Sequence, residues 1–61
     1  MKYFTLLKAT VEDFSNNKIS LEKAEEVSLK LHEAEAIGYN MSMAEDRLWL
    51  KLTDLIQLYY N

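Results

Sequence analysis

Apolar residues recur along this chain at helical spacing in three stretches separated by short polar breaks. In the first, Tyr3, Phe4, Leu7, Thr10, Val11 and Phe14 fall on one side while Lys8, Glu12 and Ser15 fall on the other. That spacing predicts an amphipathic helix over about 2–15. A strand through YFTLL competes for the same residues, but strict alternation fails and the 3.6-residue pattern continues to Phe14. Ser15, Asn16 and Asn17 then interrupt it, since their side chains compete for backbone hydrogen bonds and Asn tolerates left-handed backbone. Ser20 is placed to cap a second helix, with Ile19 and Ala24 as a hydrophobic staple across its start. The second stripe is Ala24, Val27, Leu31 and Ala34, with Leu21 at its margin, and the helix is expected over about 21–37. Gly38 supplies the left-handed stop.

A third helix is expected over about 43–60, because Ser42 and Glu45 have the spacing of a capping box. Ala44, Leu48, Trp49, Leu52, Leu55, Ile56 and Tyr59 form an apolar arc wider than one neighbouring helix covers. With no Pro, one Gly and two short connections, the fold class expected is a small all-α three-helix domain, residues 1–61, with the third helix central. Met43 and Leu50 project from the back of that helix one heptad apart, with Leu58 nearer the edge, among Arg47, Lys51 and Asp54. Leu29 and Ala36 repeat the spacing on the back of the second helix. Another copy of the chain would cover such stripes, most simply about a two-fold axis. Trp49 lies at the edge of the arc, where it serves either as core or as the anchor of an interface. Leu29, Ala36, Met43, Arg47, Trp49, Leu50 and Leu58 are therefore the candidate interface residues.

Size strengthens the argument for association. A chain of 61 residues buries only about 60% of the surface its unfolded form exposes, and this one has no Cys and one His with which to staple itself. Its 49% hydrophobic content argues for a folded protein. Ten acidic against seven basic residues, a net charge of −3, leave no cationic excess to neutralise a phosphate backbone, so direct nucleic-acid binding is not expected. MKYFTLLK is too short for a signal-peptide core, and Lys51 and Asp54 interrupt the apolar run near the C-terminus, so no membrane span is expected. The absence of Cys fits a reducing cytoplasm.

Candidate chemistry is thin. Ser28, His32 and Glu35 share a side of the second helix and have the composition of a hydrolytic triad, without the Gly-rich turn that exposes a nucleophile. His32, Glu35 and Glu25 are too few and too loosely spaced for a metal site, and neither a cofactor nor a small-molecule substrate is expected. The run Glu22, Glu25, Glu26, Glu33 and Glu35 reads as a solvated face with a Glu26–Lys30 pair across one turn. A helix-turn-helix reading would set Glu45 and Asp46 against phosphates, which they repel. Tyr3, Phe4, Phe14, Trp49, Tyr59 and Tyr60 are rings enough to fill a small core.

Two short stretches resemble known families. Gly38 followed by a helix ending LTDLIQLYY resembles the small helical-hairpin phosphatases that act on sporulation response regulators. Their Ser-Gln-Glu-Leu-Asp motif would fall on WLKLT, Trp49 to Thr53, which departs from it at almost every position, so that activity is not carried over. SMAEDRL, Ser42 to Leu48, is similar to a segment of the haemolysin-modulating family of small helical proteins, which bind nucleoid proteins. The function expected is that of a non-enzymatic, cytoplasmic interaction or regulatory protein presenting a helical surface as a homodimer. The alternatives are a phosphotransfer modulator or small enzyme using His32 and nearby carboxylates, and a DNA-associated regulator acting through a protein partner.

Overall fold

A computed structural model of the chain describes residues 1–60, and in it three helices pack around one core: α1 (Phe4–Ser15), α2 (Leu21–Ala36) and α3 (Met43–Gln57). The third helix packs against both others, most extensively against α1. Leu7, Val11 and Phe14 of α1, Ala24, Val27 and Leu31 of α2, and Leu52 of α3 form the buried cluster, so both stripes expected on the first two helices face inward. Thr10 joins them by returning its hydroxyl proton to the Leu6 carbonyl, 2.6 Å away, so burial leaves it no unpaired donor.

Each helix boundary has a local cause. The first two helices end in the same device, a left-handed residue followed by two backward hydrogen bonds. After α1, Asn17 adopts φ 58° and the amides of Asn17 and Lys18 donate to the carbonyls of Phe14 and Asp13. After α2, Gly38 adopts φ 102° while the amides of Gly38 and Tyr39 donate to Glu35 and Ala34. Ser20 caps α2 by accepting from the Lys23 amide, and Ser42 and Glu45 cap α3 reciprocally.

Three expectations need correction. The first helix begins at Phe4 rather than Lys2, because Tyr3 takes a non-helical backbone conformation and its amide proton goes to a side chain of α3. The third ends at Gln57 rather than Tyr60: the amides of Tyr59 and Tyr60 donate to residues three back, a tighter turn than the α-helix. Consequently Tyr59 and Tyr60 are more than half exposed and do not fill the core, although Tyr59 stacks on Phe14 with ring centroids 5.1 Å apart. Finally, the broad arc of α3 is only shallowly covered. Leu52 alone among its apolar members is fully buried, while Ala44, Leu48, Trp49, Leu55 and Ile56 are half-buried, since two thin neighbours cannot enclose an arc of that width.

Candidate interaction surface

Three polar contacts hold α3 in place and thereby decide which of its faces remain open. At its start Glu45 is completely buried. Its Oε1 accepts from the Ser42 amide at 2.9 Å, its Oε2 from the Tyr3 amide at 2.8 Å, and the Tyr39 hydroxyl donates across both oxygens at 3.0 and 2.8 Å. Tyr39 in turn accepts from the Lys2 amide, and its ring meets Tyr3 edge-on at 5.0 Å. Burial by itself would push the Glu45 carboxyl up; the donors at Ser42, Tyr39 and Tyr3 outweigh it and hold the group down at about 2. The same geometry acts on Tyr39 in reverse, where burial and the adjacent carboxylate push the phenol above its ordinary range. Glu45 is thus an anion at neutral pH that caps α3 and also receives the amide at the start of α1, a place where no side chain of α1 itself provides a cap.

Midway along α3, the Trp49 indole N–H donates to Ser28 Oγ at 3.2 Å. Beyond its end, the Tyr60 hydroxyl donates to Glu25 Oε2, a contact that together with burial pushes this phenol upward too. Between these two contacts lies an open groove of about 450 Å³ along the α2–α3 seam, lined by Ser28, Leu29, His32, Trp49, Ile56 and Tyr60 among others. Of the candidate interface residues, Leu29 and Trp49 share this groove. The remaining five do not line it.

The composition that suggested chemistry does not assemble it. Ser28 is engaged by Trp49, and His32 lies exposed with its ring tilted 42° against the indole at 6.4 Å. Glu25 is held by Tyr60. Among the described residues no three His, Cys, Asp or Glu side chains gather as a metal would need. The acidic face forms a Lys23–Glu26 pair at 3.9 Å, in place of the expected Glu26–Lys30 pair.

Met43, Leu50 and Leu58 are 76, 57 and 67% exposed on the side of α3 away from Leu52, with Arg47, Lys51 and Asp54 also exposed beside them. Leu29 is 57% exposed and Ala36 is exposed on the outer side of α2. Met43, Leu50 and Leu58 thus stand apart from the seam groove that Leu29 and Trp49 line, with Trp49 half-buried there.

Glu45 is the residue whose role sequence reasoning understated. It is recognisable as half of a capping box, but Tyr3 and Tyr39, its other partners, carry no signal linking them to it; the Tyr3 contact spans 42 residues. No described helix is long and apolar enough to cross a membrane. No family model, curated protein or solved structure matches the chain, and the two short resemblances in its third helix gain no support beyond the residues that carry them.

Proposed function

We propose that this chain is a non-enzymatic interaction module that self-associates through the outer face of α3. The observation that carries the reading is the exposure of Met43, Leu50 and Leu58 along one line of a helix whose other side is capped, tied and packed. Isolated exposed apolar residues are ordinary on protein surfaces, but three large ones at intervals of seven and eight residues form a stripe that a second helix can cover. Covering each would contribute on the order of 1.5–3 kcal/mol, a substantial increment for a domain whose core contains eight buried apolar residues. The occupation of Ser28 and Glu25 by structural hydrogen bonds also favours binding over catalysis.

Sedimentation velocity tests the reading. Wild type is expected to dimerise in the micromolar range, and Leu50→Glu, which sets a carboxylate in the middle of the stripe, is expected to shift it to monomer and lower the melting temperature of the associated form. A wild type that stays monomeric at high micromolar concentration removes self-association.

A further inference from the structure

Resting on that self-association, we infer that two α3 helices meet antiparallel about a two-fold axis crossing between Leu50 and Lys51, so that Arg47 of each copy faces Asp54 of the other. At about 100° per residue, Met43, Arg47, Leu50, Asp54 and Leu58 project within roughly 80° of arc, opposite Leu52. Leu58 belongs to this set although it follows the last α-helical residue, because its backbone is still helical, φ −60° and ψ −23°. In an antiparallel pair, residues equidistant from the axis on opposite sides stand level. Met43 precedes an axis at this point by as many residues as Leu58 follows it, and the same holds for Arg47 and Asp54. Each Met43 therefore sits level with Leu58 of the second copy, the two Leu50 side chains meet beside the axis, and symmetry forms the Arg47–Asp54 contact twice.

Charge selects this arrangement over a parallel one. In a parallel pair Arg47 would face Arg47 and Asp54 would face Asp54, like charges held at a closing apolar contact. Within one copy, Arg47 and Lys51 are like charges one turn apart, a mildly unfavourable placement, and the ion pair among the described residues is Lys23–Glu26 on α2. An acid from outside answers that placement, and Asp54 of a second copy is at the right level. The outer face of α2 offers less, since its heptad partner for Leu29 is the small Ala36.

A charge exchange tests the register. Arg47→Asp alone sets Asp against Asp54 at both contacts, and Asp54→Arg alone sets Arg47 against Arg, so each variant is expected to dimerise at least about tenfold more weakly than wild type in low salt. Mixed in equal amounts, the two restore opposite charges at both contacts, and sedimentation should show a heterodimer approaching wild-type affinity; the double variant in one chain should also recover. Circular dichroism would check that both exposed-site variants remain helical, as expected of surface substitutions. A wild-type dimer that neither single substitution weakens, or weakened singles that do not recover on mixing, overturns the register while leaving self-association standing. A monomeric wild type overturns both.

Discussion

A fully buried carboxylate would ordinarily take up a proton to escape its environment, and Glu45 does the opposite because three donors, the Ser42 and Tyr3 amides and the Tyr39 hydroxyl, converge on its two oxygens. The consequence has a defined sign. Its folded-state value, about 2, lies below the ordinary 4.5, so the stabilisation it brings is present above about pH 4.5 and is lost as pH falls from there toward 2. Glu45→Gln should be less stable than wild type at neutral pH, and the difference between the two should shrink across that acid window. Urea denaturation at a series of pH values measures it, and a constant difference would mean that the carboxylate is not held as described. His32 presents the contrasting case, an exposed side chain whose neighbour Trp49 is already hydrogen-bonded elsewhere. His32→Ala is expected to change stability by no more than about 0.5 kcal/mol and to leave the dimer intact, by denaturation and sedimentation. Both residues were visible in the sequence, one as half of a cap and the other as a conspicuous lone histidine, yet residue type misdirects here: burial depends on Tyr3 and Tyr39, which come from other elements.

Among elements, the α2–α3 connection accomplishes most. Gly38 in its positive-φ conformation reverses the chain, and the backward bond of the Tyr39 amide to Ala34 fixes the residue whose hydroxyl then reaches Glu45. Ser42 completes the connection by starting α3 at the following residue. Ser42→Ala should cost about 1 kcal/mol in chemical denaturation, and an unchanged midpoint would show that the start of α3 is determined by Glu45 alone. This part of the fold was legible because each device is local: a capping box, an Asn or Gly at the stop, a stripe of period 3.6. What was not legible lies at α3's far end. Apolar spacing from Leu55 to Tyr60 reads the same whether the last turn is α-helical or tightened, and the tightening accompanies contacts to Phe14 and Glu25 that no local pattern contains. The α3 outer stripe was legible by residue, whereas its standing apart from the seam groove that Leu29 and Trp49 line required the packing of one helix on another.

Over the whole molecule, the marginal core and the exposed α3 stripe are two sides of one constraint. Three helices of 12, 16 and 15 residues have too little mutual surface to enclose every apolar position, and the side left open belongs to the helix packed against both neighbours. The Glu45 cluster also has a consequence in time. Its contacts to Ser42 and Tyr39 close over three and six residues, whereas the contact to Tyr3 closes over 42. Local contacts exact little chain entropy and long-range ones more, so the α2–α3 hairpin is expected to organise first, with its anion already poised, and α1 to dock onto it afterwards. Substitutions then divide by rate: Ala24→Gly and Leu31→Ala in the hairpin should slow folding, while Leu7→Ala in α1 should chiefly accelerate unfolding, by stopped-flow chevron analysis. The reverse division would mean that the chain's first helix leads, and that Glu45 meets the Tyr3 amide before it has finished capping its own helix.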